Sequence, residues 1–262
     1  MSVIRRNNVV VKGSGKRAIV FSHGFGCDQA MWRLVSPSFE DDFTTVLFDH
    51  VGAGKSDLNA YNPHKYSSLE GYADDLVEIG EELDLQNAVF VGHSVSAMIG
   101  VLTSLKAPGL FSDLVLVGPS ARYINDDGYH GGFAEDEIDE LLASLGDNHM
   151  GWSSAMAPVI MGNPDRPELG EELTDSFCRT DPDIARRFAK VTFTSDNRSD
   201  LPHVKARTLI LQCRDDIIAS EEVGKYVRDH IPGSKMVLLD ATGHCPDLSA
   251  PGEVIAAIRE FV

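Results

Sequence analysis

The sequence predicts an α/β fold: a mostly parallel central sheet with helices on both faces and an all-helical insertion in its second half. Three observations carry this. Short apolar runs such as Ala18-Ile19-Val20-Phe21-Ser22 and Ala88-Val89-Phe90-Val91 alternate with stretches of helical spacing, the pattern of parallel strands buried on both faces. The alternation stops after Gly118-Pro119-Ser120, and from about residue 122 to 194 only helical segments and loops follow. The 262 residues, 43% hydrophobic and 24% charged, suffice for one large core with an insertion.

In chain order, the strand at 18–22 leads into a glycine-rich turn and a helix expected over Met31–Phe39. Thr45-Val46-Leu47-Phe48 reads as the next strand. Leu69, Tyr72, Ala73, Leu76, Ile79 and Leu83 recur at helical spacing over 69–83. The strand at 88–91 runs into a helix over Val95–Leu105, and Leu114-Val115-Leu116-Val117 is a further strand. The insertion holds helix candidates at 135–145, 151–160, 168–178 and 182–194, some with acidic first turns suited to a helix N-terminus. Strands resume at Thr208–Gln212 and Met236–Leu239, separated by a helix over Glu221–His230. A last helix covers about Pro251–Val262. The expected division is a core of 1–121 and 195–262 with a helical lid of 122–194 over the C-terminal edge of the sheet.

The formal net charge of −17 argues against nucleic-acid binding, which needs clustered Lys and Arg against phosphates. No apolar run is long enough for a signal peptide or for the ~18–20 residues of a membrane helix. Cys27, Cys178, Cys213 and Cys245 form no CxxC pair, so neither a zinc site nor a disulfide framework is indicated. A cytoplasmic protein without membrane or nucleic-acid partners is expected.

The chemistry centres on Val91-Gly92-His93-Ser94-Val95-Ser96. Ser94 directly follows a strand and precedes a helix, the setting of a turn that lifts a nucleophilic serine above a sheet. The signature G-x-S-x-G has Ser96 in place of its second glycine, so alone it is equally compatible with a helix-capping serine. A serine hydroxyl needs a base, and the base needs an orienting group. Asp215-Asp216 follows the strand at 208–212, and His244 follows the strand at 236–239. All three thus fall at C-terminal strand ends, in the order nucleophile, acid, histidine. Asp215 and Asp216 both qualify as the acid, with Asp240 a weaker alternative. His23-Gly24-Phe25-Gly26 follows the first central strand, where a loop could supply an oxyanion donor; the expected donors are the amides of Phe25 and Val95. His23 and His93 are read as structural. Gly52-Ala53-Gly54-Lys55-Ser56 imitates a phosphate loop but has Asp49 where that loop needs its first glycine, and reads as a turn. No metal or organic cofactor is expected.

The stretches HGFGCDQ, FDHVGAGKSD, VGHSVSAMIG, RYINDDGYHGGF and ATGHCP together resemble the α/β-hydrolase superfamily. Within it they are similar to the group of the bacterial stress-signalling hydrolase RsbQ and the plant karrikin and strigolactone receptors, over nearly the whole chain. The resemblance implies Asp216 as the acid of a Ser94–Asp216–His244 triad, with Phe25 and Val95 as oxyanion donors. It implies a V-shaped four-helix lid over a deep hydrophobic pocket and slow hydrolysis of small apolar esters or butenolide-type lactones. Pocket residues are expected to be Phe25, Tyr123, Phe133, Trp152, Met156 and Phe193, Met156 replacing what is often phenylalanine. Two other functions fit the same pattern: a ligand-sensing signalling module whose lid recruits a protein partner, and a carbon–carbon bond hydrolase acting on a diketone. A serine at the nucleophile position speaks against chemistry in which a carboxylate attacks.

Overall fold

The computed structural model of the chain describes residues 2–262. In chain order the elements are α1 (Val3–Arg6), β1 (Val10–Lys12), β2 (Arg17–Ser22), β3 (Phe43–Leu47), α2 (Leu69–Glu82), β4 (Ala88–His93), α3 (Val95–Lys106) and β5 (Phe111–Val117). Four helices follow: α4 (Glu135–Asp147), α5 (His149–Met161), α6 (Pro167–Arg179) and α7 (Pro182–Thr194). The chain closes with β6 (Arg207–Asp215), α8 (Glu221–His230), β7 (Lys235–Thr242), α9 (Pro246–Ser249) and α10 (Pro251–Phe261).

The strands form one sheet in the order β1-β3-β2-β4-β5-β6-β7. Only β1 runs antiparallel, pairing with β3; the others are parallel. Every residue of β4 is buried, as a strand sandwiched between two helical layers requires. Residues alternate between two cores. Ile19, Phe21, Val89, Val91, Val115 and Val117 face one side, and Val20, Phe90, Leu114 and Leu116 the other. The second core is completed by α2 and α3, whose buried faces carry Tyr72, Leu76 and Ile79, and Met98, Ile99 and Leu102.

One expectation needs correction. The helix over 31–39 is replaced by two short 3-10 turns, Gln29–Leu34 and Ser36–Phe39. Pro37 disfavours the α conformation at Ser36 and removes an amide donor, so a single helix cannot run through. The three-residue β1 at the sheet edge and the short α1 and α9 have no expected counterpart. The GAGKS stretch is a turn built on Asp49: its carboxylate accepts from the amides of Gln29 at 2.9 Å and Lys55 at 2.8 Å, and from Asn8 Nδ2 at 2.7 Å. A carboxylate already satisfied by three donors at the head of the loop leaves no cradle for phosphate.

Because β2, β4, β5, β6 and β7 are parallel, their C-terminal ends open on one edge. The connections there deliver His23–Gly26, Ser94, Gly118, Asp216 and His244 to a common crevice. Helices α4–α7 lie between β5 and β6 in the chain, and Trp152 of α5 and Phe177 of α6 stack at 5.8 Å between ring centroids. No helix among the described residues is long and apolar enough to cross a membrane.

Candidate active site

At the end of β4 the chain turns sharply into α3. Ser94 has φ 57° and ψ −124°, a conformation that L-residues with a Cβ avoid. Its amide donates to the Val117 carbonyl at 2.8 Å and its carbonyl accepts from Ala97 at 2.9 Å, so the strained residue is pinned from both sides. The Ser94 hydroxyl donates to His244 Nε2 at 2.7 Å. His244 Nδ1–H in turn donates to Asp216 Oδ2 at 2.7 Å. The other oxygen, Oδ1, accepts from the amides of Ile218 at 2.8 Å and Ala219 at 3.0 Å. All three residues are buried.

The rival acids are elsewhere. Asp215 is exposed and meets the loop only through its carbonyl, which accepts from the Gly243 amide at 2.7 Å. Asp240 is 86% exposed and faces Arg214.

His93 braces the histidine loop, its Nε2–H donating to the His244 carbonyl at 2.7 Å. Burial, reinforced by the neighbouring His244, lowers the His93 pKa to about 3, so the ring stays neutral. The loop after β2 runs against the turn at Ser94. A Cβ added at Gly24 would lie 2.6 Å from His93 Nδ1 and 3.3 Å from Ser94 Cβ, which only glycine avoids. The amide of the next residue, Phe25, donates to no carbonyl among the described residues. The Val95 amide opens α3, where helix geometry supplies it no partner.

A cavity of about 30 Å³ adjoins Ser94 and His244, room for one or two water molecules. Phe25, Tyr123, Trp152 and Phe193 line it, together with Phe177, Leu173, Ile160, Thr192, Ile218, Cys27 and Cys245, which the sequence reading did not name. Phe133 and Met156 do not line it. Phe133 is half-buried where its backbone bridges to Ile124, and Met156 is half-buried on α5, one turn from each of the cavity-lining Trp152 and Ile160. Phe177 reaches inward because Gly26, at φ +70°, leaves room: a Cβ there would stand 2.3 Å from its ring. The deep pocket implied by resemblance is therefore closed by aromatic rings. Phe25 contacts Trp152, Phe177 and Phe193 with centroids 5.7–6.4 Å apart.

Cys27 and Cys245 do not compete as nucleophiles. Burial, with the nearby Asp247 carboxyl, pushes both thiols well above the usual range. Among the described residues no cluster of three or more His, Cys, Asp or Glu is arranged to hold a metal ion.

Comparison with known proteins agrees with this geometry. The profile of the Alpha/beta hydrolase family matches residues 19–258. The chain is an α/β hydrolase. This hydrolase is 38% identical to Strigolactone esterase D14 of Arabidopsis thaliana over 259 residues, covering 98% of this chain and 97% of that one. It is also 38% identical to Karrikin insensitive 2 receptor CA of Petunia hybrida over 257 residues, 98% of this chain and 95% of the receptor. A solved hydrolase from Oleispira antarctica superposes with a TM-score of 0.96 at 42% identity, covering 99% of this chain and 95% of that one.

One buried group beside the site has no role in its hydrogen bonds. Asp247 is fully buried with neither carboxylate oxygen partnered, and burial raises its pKa from 3.8 to about 7. The folded protein thus holds a proton between pH 4 and 7 that the unfolded chain has released. Native stability is fully present below about pH 4 and declines as pH rises through 7, by up to about 4 kcal/mol. Asp247→Asn removes that slope. Urea unfolding should show the variant gaining on the native protein between pH 5 and pH 8; a gap independent of pH contradicts the assignment.

Proposed function

We propose that this serine hydrolase cleaves small apolar esters or butenolide-like lactones through an acyl-enzyme on Ser94. The hydrogen-bonded sequence Ser94–His244–Asp216, opening on an aromatic-lined cavity, carries the reading. Ser94 Oγ attacks the carbonyl carbon while His244 Nε2 takes its proton, and Asp216 holds the imidazole and offsets its charge. The amides of Phe25 and Val95 receive the developing oxyanion. His244 returns the proton to the leaving alkoxide. A water, deprotonated by the same nitrogen, then releases the acid and restores Ser94. The segment 122–194 acts as the lid, and its aromatic side chains must part for any ester to enter a cavity this small.

A series of p-nitrophenyl esters tests the reading. Turnover should be highest for acyl chains of two to four carbons and fall at least tenfold by eight, because each added methylene needs space that Trp152, Phe177 and Phe193 occupy. A fluorophosphonate should add one label per chain, at Ser94 by peptide mass. A label elsewhere, or a preference for long chains, overturns the proposal. The likeness to a karrikin receptor supports a second reading, in which lid movement on ligand binding recruits a protein partner. There the Ser94→Ala protein should still shift its melting temperature with a butenolide.

A further inference from the structure

Ser96 occupies the position of the signature's second glycine, yet its side chain does more than fit. It is wholly buried. Its hydroxyl donates to the His23 carbonyl at 2.5 Å and accepts from Ser22 Oγ at 2.8 Å and from His50 Nε2 at 2.9 Å. The directions follow from one another. The His50 backbone amide donates to His23 Nε2 at 3.1 Å, so His23 carries its proton on Nδ1, which donates to the Gly24 carbonyl at 2.9 Å. Ser96 has given its one proton to the His23 carbonyl, so His50 must supply its own from Nε2. Burial lowers the pKa of both rings, favouring their neutral forms, and the hydrogen bonds select these tautomers. His50 is held in turn by Phe48, Tyr72 and Phe188, all edge-on with centroids 5.2–6.0 Å away.

The consequence falls on Phe25. In a trans peptide the carbonyl oxygen and the next amide hydrogen point in opposite directions within one plane. Holding the Gly24 oxygen therefore aims the Phe25 N–H, and holding the His23 oxygen fixes the preceding plane. Glycine at 96 would leave the buried His23 carbonyl without its hydroxyl donor and remove the hydrogen bond that ties the first turn of α3 to the loop. We propose that Ser96, oriented by His50, is a positioning residue that aims the Phe25 amide at the oxyanion. This rests on the acyl-enzyme reading above.

The test compares kcat and KM on p-nitrophenyl butyrate. Ser96→Gly restores the family signature, and a serine that is merely a tolerated small residue predicts no loss there. Positioning predicts that Ser96→Gly and Ser96→Ala lose about 10- to 100-fold in kcat with KM changed less than threefold, since the oxyanion exists only in the transition state. Affinity for a trifluoromethyl ketone, which forms a tetrahedral adduct, should fall by the same factor. His50→Leu should lose about 3- to 10-fold, and His50→Gln, which carries an N–H near Nε2, should recover it. Adding His50→Leu to Ser96→Ala should cost nothing more, because both remove one connected unit. Native kcat in Ser96→Gly, a loss confined to KM, or additive losses overturn the proposal. If Ser96 variants do not fold, the His50 pair decides it. Ser94→Ala runs alongside: turnover surviving there refutes the acyl-enzyme itself, whereas a normal Ser96→Gly refutes only the positioning role.

Discussion

Ser94→Ala is expected to lower kcat on p-nitrophenyl esters by about 10⁴-fold or more, the scale on which removing a nucleophilic serine acts. The loss should appear in kcat and not in folding, because Ser94 contributes a single hydroxyl, hydrogen-bonded to His244. What the variant retains is equally informative. The Phe25 and Val95 amides stay in place, so a residual rate above that of water alone is expected.

Stability separates the two roles that the turn combines. At φ 57° and ψ −124° Ser94 sits in backbone strain worth about 1–3 kcal/mol. Alanine keeps the Cβ and the strain, so its melting temperature should match the native protein. Glycine relaxes the strain and should melt higher, with turnover equally lost. If glycine melts lower than alanine, the turn is not held against a local preference.

The sheet and the site order were legible because each depends on short-range signals. Fully apolar strands, each followed by a small or chemically distinctive residue, announce a strand end in a parallel sheet, and a parallel sheet puts its strand ends together. That reasoning reached Ser94, His244 and the Asp215-Asp216 pair. The choice between the two aspartates came from resemblance, and its physical ground is visible only in three dimensions: the Ile218 and Ala219 amides capture Asp216 while Asp215 faces water. Pocket residues were less legible. Phe133 and Met156 were named by type, but which side chain reaches the cavity is set by the packing of the lid segments, and Phe177 was reachable only by seeing that Gly26 makes room for it. From the sequence Ser96 is only a departure from the signature's second glycine, because its partners Ser22, His23 and His50 come from two other strand ends.

Asp216→Asn should lower kcat by about 10⁴-fold while leaving the fold intact, and the hydrogen bonds say why so small a change acts so strongly. Oδ1 accepts from two backbone amides, so an asparagine must turn its oxygen to that side. Its NH₂ then faces His244 Nδ1 at the place where the native carboxylate accepts. His244 can meet a donor there only by giving up the Nδ1 proton and carrying it on Nε2. That nitrogen then points an N–H at Ser94 Oγ and cannot take the serine's proton. A flipped asparagine would instead set its NH₂ against the Ile218 and Ala219 amides, leaving donors facing donors in a buried site. Asp215→Asn and Asp240→Asn, both exposed, should keep turnover within about twofold. Measured kcat for the three variants decides the matter: a large loss at Asp215, or Asp216→Asn retaining a tenth of native turnover, would show that the imidazole takes its orientation from another group.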